Sequence, residues 1–164
     1  MNFISKDNVL TRLSMANPIH FLALGFGSGM MAKAPGTFGT LAAIPLYLLM
    51  APLTIQWYLG LTLLSVIGGV YICGKAAKDM GVHDHGAIVW DEVAGLLITM
   101  IAAPAGWPWL LVGFGLFRFF DILKPWPICW LDAKVKGGFG IMIDDVLAGG
   151  FSFVCLQGLA YYLN

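Results

Sequence analysis

Nine carboxylates serve the whole 164-residue chain, and four of them stand as two adjacent pairs. Asp91 and Glu92 lie in "IVWDEVAGLLITM" and Asp144 and Asp145 in "IMIDDVLAGGFSF", each pair directly ahead of an apolar run. One reading is structural: acids in the first turn of a helix satisfy free N–H groups and suit the positive end of its dipole. A single cap needs only one acid, however, and ionisable groups at the mouth of an apolar segment are costly and usually functional. A hard divalent cation would neutralise both pairs if they fold together. Carboxylate, carbonyl and water oxygens are the ligands Mg²⁺ prefers, commonly shared with substrate phosphate. Asp91, Glu92, Asp144 and Asp145 therefore read as a Mg²⁺ site open to a phosphate.

Other ionisable residues fit that chemistry. "FRFFDILKPWP" spaces Arg118, Asp121 and Lys124 at i, i+3 and i+6, the first two on one helix face. They read either as an ordinary surface ion pair, or as a further metal-facing carboxylate with a guanidinium clamp and an ammonium for phosphate oxygens. "DMGVHDHGAIVWDE" supplies His83, Asp84 and His85. Its His-x-His lacks the nearby third ligand that zinc would want, so Asp84 or His85 reads as a general acid or base. His20, alone, reads as structural.

A third group is glycine-rich. "GFGSGMMAKAPGTFGT", residues 25–40, carries five glycines just before the first apolar run. No strand signal precedes it and no Gly-Lys-Ser/Thr ends it, so neither a dinucleotide fold nor a P-loop is supported. Close helix packing through glycine is one explanation. The other is an anion site: Pro35 and Gly36 make a turn, and Thr37, Gly39 and Thr40 then open a helix whose free N–H groups could face phosphate beside Lys33.

The elements that must position these residues are apolar helices. Hydrophobic residues make up 59% of the chain and charged ones 11%, against about 45–50% and about 25% in soluble domains. Such a chain reads as an all-α integral membrane bundle, one domain, with the bilayer as its partner. A net charge of zero gives no sign of a nucleic-acid partner. Cys73, Cys129 and Cys155 fit no metal spacing and read as free packing thiols. The N-terminus shows no removable signal peptide, and residues 1–16 read as a cytoplasmic segment ahead of a membrane-embedded catalytic domain at 17–164.

No charge interrupts residues 34–74, enough for two spans, near 39–52 and 57–74, joined at Pro52. Residues 93–117 are charge-free but broken at "APAGWPW", so they form either two short crossings or a shallow hairpin. Residues 146–163 can cross once. The count is four or five spans, and every lysine and arginine falls on one side, which the positive-inside rule makes cytoplasmic. Trp57, Tyr58, Trp107 and Trp109 suit one interfacial belt, and Trp126 and Trp130 the other.

Taken in order, "GFGSGMMAKAPGTFGT", "KDMGVHDHGAIVWDE", "FRFFDILKPWPI" and "GGFGIMIDDVLAG" resemble the phosphatidylglycerophosphatase A family, from Asn17 to the C-terminus. The resemblance implies Mg²⁺-dependent hydrolysis of phosphatidylglycerophosphate to phosphatidylglycerol and phosphate at the bacterial inner membrane. It also implies a compact bundle with a central helix surrounded by others. Signatures of other phosphatases are missing: there is no Asp-x-Asp-x-Thr/Val, no Cys-x5-Arg and no Lys-x6-Arg-Pro. A CDP-alcohol phosphotransferase is excluded by the lack of Asp-Gly-x2-Ala-Arg. The rival class is a cation-coupled transporter, which should hold its acids near mid-membrane, often in broken helices.

Overall fold

A computed structural model describes residues 8–163. Residues 1–7, including Lys6 of the expected N-terminal segment, lie outside the described residues. Among the described residues there are seven α-helices and two 3₁₀ turns (Leu10–Arg12 and Ser28–Met30), and no strand. The helices are α1 (Pro18–Ala23), α2 (Pro35–Met50), α3 (Ile55–Met80), α4 (Trp90–Thr99), α5 (Trp107–Leu123), α6 (Ile128–Lys134) and α7 (Gly137–Leu163).

Two of them, α3 with 26 residues and α7 with 27, are long and apolar enough to cross a membrane. They are solvated differently. Trp57, Leu63, Leu64, Ile67 and Tyr71 project outward from α3, each about two-thirds exposed, a surface that suits hydrocarbon better than water. Half of the most apolar stretch of α7 is buried, and this helix packs against α3, α4, α5 and α6.

The expected turn at Pro52 and the expected break at "APAGWPW" are both present, between α2 and α3 and between α4 and α5. Both turns line one cavity, which includes Tyr47, Leu53, Tyr58, Met100 and Ala103, so the two uncharged loops meet at the same end of the bundle. At ten residues, α4 is about 15 Å long, and most of its side chains are buried. Backbone groups released where a helix stops in an apolar interior need internal partners. Tyr58 supplies one by donating from its hydroxyl to Leu97 O at 2.8 Å, and Gln157 Nε2 supplies another to Ile101 O at 2.9 Å. Tyr58 is accordingly buried at 5% exposure and belongs to no interfacial belt, which corrects the sequence-based expectation. Trp57, Trp107, Trp126 and Trp130 are exposed.

Two boundaries differ from expectation. α3 continues to Met80 and absorbs Lys75, Lys78 and Asp79, where Lys75 and Asp79 pair one turn apart. α7 begins at Gly137, nine residues before the expected apolar segment. Asp144 and Asp145 therefore lie two turns inside a helix, and the capping explanation fails for this pair. It holds for Asp91 and Glu92, which occupy the first turn of α4.

Candidate active site

The helix ends opposite the uncharged loops carry the chemistry. α4 and α7 can approach there because each acidic pair is followed by small residues: Val-Ala-Gly95 after Glu92, Val-Leu-Ala-Gly149 after Asp145. A Cβ on Gly149 would lie 2.6 Å from Gly95 O, closer than real Cβ atoms come to backbone. This contact, one turn from both pairs, brings them together. One ligand atom each from Asp91, Glu92 and Asp145 lie within 4.8 Å of one another.

α5 closes a further side. Phe117 is fully buried, and its ring occupies the space that a Cβ on Gly95 would need. The next residue, Arg118, ion-pairs with Asp121 through Nη1, which also lies 3.7 Å from Glu92 Oε1. Asp121 is within hydrogen-bonding reach of Asp145 and close enough to Glu92 and Asp144 to repel both. α2 meets the cluster end-on. A Cβ on Gly36 would sit 2.2 Å from Glu92 Oε1 and one on Gly39 3.1 Å from Glu92 Oε2, so a side chain at either position would push the Glu92 carboxylate aside. The positive end of the α2 dipole thus already faces a carboxylate.

Asp144 is held apart from the three-residue group. Its Oδ2 accepts from Lys124 Nζ at 2.6 Å, and Lys124 also reaches Asp132 Oδ2 at 3.1 Å. Burial works against the charge of Lys124, but Asp144 and then Asp132 outweigh it and hold the ammonium above the ordinary lysine range. Sequence reasoning missed Asp132. It sits on α6 beyond Pro125 and Pro127, and no helical spacing links it to Lys124.

Six carboxylates thus face two cations, Arg118 and Lys124. Three of the acids keep a buried oxygen without a hydrogen-bond partner: Glu92 Oε2, Asp144 Oδ1 and Asp145 Oδ2. Buried anionic oxygens left bare are costly. A hard cation is the simplest group that would satisfy several at once, and an all-oxygen set suits Mg²⁺ rather than zinc.

The remaining expected residues lie on the margin. His85 accepts from Ala87 N–H through Nδ1 at 3.1 Å, shaping the turn into α4. Asp84 is exposed and near enough to Asp91 for repulsion to be felt. Lys33 is exposed, Thr37 is half-buried, and the buried Thr40 donates its hydroxyl to Gly36 O at 2.9 Å. His20 lies elsewhere, between Ser14 N–H and Asp79, and ties the N-terminal segment to α3.

Comparison with known proteins places the chain in a family. The sequence profile of the phosphatidylglycerophosphatase A family matches residues 21–160. A phosphatidylglycerophosphatase A of Escherichia coli is 52% identical over 97% of this chain and 91% of its own length. One from Haemophilus influenzae is 48% identical over 98% and 99%. A third relative, from Bacteroides thetaiotaomicron, is 38% identical over 82% and 89%, and bears the provisional name phosphatidylinositol-3-phosphatase. No solved structure matches the chain. The chain belongs to the phosphatidylglycerophosphatase A family and is a phosphoric monoester hydrolase.

Proposed function

We propose that this protein hydrolyses phosphatidylglycerophosphate to phosphatidylglycerol and phosphate in a Mg²⁺-dependent reaction of phospholipid synthesis. The observation that carries the reading is the convergence of Asp91, Glu92 and Asp145 within 4.8 Å, with bare buried oxygens beside Arg118 and Lys124. Asp91, Glu92 and Asp145 would hold Mg²⁺, with Asp144 Oδ1 as a further oxygen on the side that Lys124 guards. When bound, the cation supplies charge neutralisation, a Lewis acid for phosphoryl oxygens and a more acidic water.

The chain's own residues do the rest. Arg118 has its buried Nε unpartnered, so its guanidinium keeps a donor for a phosphoryl oxygen. Lys124 contributes a point charge next to Asp144. Both are fixed donors that meet negative charge as it develops in the transition state. Gly36, Thr37, Gly39 and Thr40 at the start of α2, with Lys33 beside them, bring the positive helix end to the same place. Asp121 orients Arg118. Asp84 and His85, on the loop before α4, are the groups to move a proton: the bond from phosphorus to the glycerol oxygen breaks, the oxygen of water joins phosphorus, and the leaving oxygen takes up a proton.

The enzyme works as a multi-pass protein of the bacterial inner membrane, with the site on the cytoplasmic face, where its lysines and arginines gather. α2, α3, α4 with the loop that follows it, α5 and α7 make five crossings, with α7 packed against the others, since the loops after α2 and α4 meet at one end. A cation-coupled transporter gains no support, because the acids gather near one end of their helices and the chain's family is a phosphatase family. Purified protein given phosphatidylglycerophosphate should release phosphate with Mg²⁺ and not with EDTA. Release from neither condition, or preference for phosphatidylinositol 3-phosphate, would overturn the reading.

A further inference from the structure

We propose that the apolar groove between α2, α3 and α4 holds one acyl chain of the lipid whose phosphate the acidic cluster receives, an assignment that rests on the phosphatase reading above. The groove encloses about 410 Å³, and its walls include Leu49 of α2, Leu61, Ser65, Gly68 and Ile72 of α3, and Trp90 of α4. It comes nearest the site at Trp90, which precedes Asp91 and donates from its indole N–H to Ser65 O at 3.1 Å. On α3, Cys73 follows Ile72 and touches the backbone of Asp91. One end of the groove therefore abuts the acids.

Its length selects the occupant. Leu61 to Ile72 is about 16 Å along the helix axis, and one leaflet's hydrocarbon is about 15 Å deep. A tail descending from a head group held at the acids would run the full groove. Another helix does not fit: over that length, a helix of about 10 Å diameter fills on the order of 1,200 Å³. Pockets that bind small ligands are mostly apolar clefts of about 300–1,000 Å³, the class to which this groove belongs.

Gly68 gives a clean test, because a Cβ there would meet nothing within 4 Å. Gly68→Leu fills the groove without disturbing the backbone, and Gly60→Leu adds the same bulk at an equally open position of α3 outside the groove. The measurement is kcat/KM for phosphate release from dioleoyl- and dihexanoyl-phosphatidylglycerophosphate in detergent micelles. Gly68→Leu should lower the long-to-short ratio about tenfold, equivalent to losing two methylenes' burial, with a smaller drop of the same sign in Gly68→Ala. Gly60→Leu should keep the wild-type ratio. An unchanged ratio in Gly68→Leu, or an equal fall in Gly60→Leu, overturns the assignment and leaves the groove to bulk lipid. Equal losses on both lipids with a dimer turned to monomer would give the groove to a second copy and overturn it too. Failure of the wild type to cleave either lipid overturns the phosphatase reading itself, and is told apart because no variant is involved.

Discussion

The two acidic pairs look alike in sequence and behave differently in the fold. Asp91 and Glu92 sit in the first turn of the short α4, where free N–H groups surround them and Glu92 N–H donates to Asp91 Oδ1 at 3.1 Å. Asp144 and Asp145 lie inside α7, where every nearby N–H is already committed to the helix. Adjacent helical residues point about 100° apart, so this second pair divides. Asp145 turns to Asp91 and Glu92, and Asp144 turns to Lys124. The pair is not a unit: one carboxylate completes a cluster, and the other anchors a cation beside it. Asp91 has a local partner in the Glu92 N–H, whereas Asp145 Oδ2, like Glu92 Oε2, is buried and bare.

The largest effect should come from Asp145→Asn, which removes the only α7 charge in the three-carboxylate group. Turnover should fall by about 10³-fold, the scale seen when a principal electrostatic group is lost from a transition state, with thermal stability equal to or above wild type. Calorimetric titration with Mg²⁺ should show affinity lost in parallel. Retained Mg²⁺ affinity in Asp145→Asn would mean that the α4 acids bind the ion alone and that the contrast between the pairs is misplaced.

Asp144→Asn should cost less, about 10–100-fold in kcat, because the amide still accepts from Lys124 while losing its charge. Lys124→Met should fall in the same range. If the two act as one ion pair, the double variant should lose much less than the product of the single losses, since contacting residues couple by about 0.5–3 kcal/mol. Strictly multiplicative losses would return Asp144 to an independent role like that of Asp145.

The sequence pointed to the pairs but not to how they divide. Charge-free runs, Pro52 and "APAGWPW" located the helices and their turns because those signals are local. The start of α7 was hidden, since "KGGFG" reads as a loop, and helix there is won by packing against α3, α4 and α6 rather than by propensity. The stop of α4 was equally hidden. It depends on Tyr58, which reaches the α4 carbonyl of Leu97, and on Gln157, which reaches Ile101 O in the turn that follows, both tens of positions away. One signal was available in plain view: Gly95 and Gly149, three and four residues after their pairs and each preceded by alanine, mark the crossing that brings the acids together.

That crossing gives the next prediction. Gly149→Ala forces a methyl to within 2.6 Å of Gly95 O, with no flexible side chain to give way. The helices must separate, at about 1–3 kcal/mol of stability. A displacement of even about 1 Å can cost around 10²-fold in rate, so kcat should fall by one to two decades while α-helical circular dichroism is kept. Gly150→Ala, a neighbour with nothing within 4 Å of its Cβ, should be near neutral in both measurements. Equal behaviour of the two variants would dissociate the acidic cluster from the α4–α7 contact.

The smallest effect is expected at Asp132, and it sharpens the role given to Asp144. Lys124 touches both carboxylates, but Asp144 is nearer and its side chain is 9% exposed against 43% for Asp132. An exposed ion pair contributes about 0–1 kcal/mol, so Asp132→Asn should leave stability nearly unchanged and lower kcat by no more than about twofold. Lys124 then keeps its position through Asp144 alone. If Asp132→Asn instead matched Lys124→Met in kcat, α6 would be the element that holds the ammonium in place, and Asp144, freed of that duty, would rejoin Asp145 as a partner in the cluster.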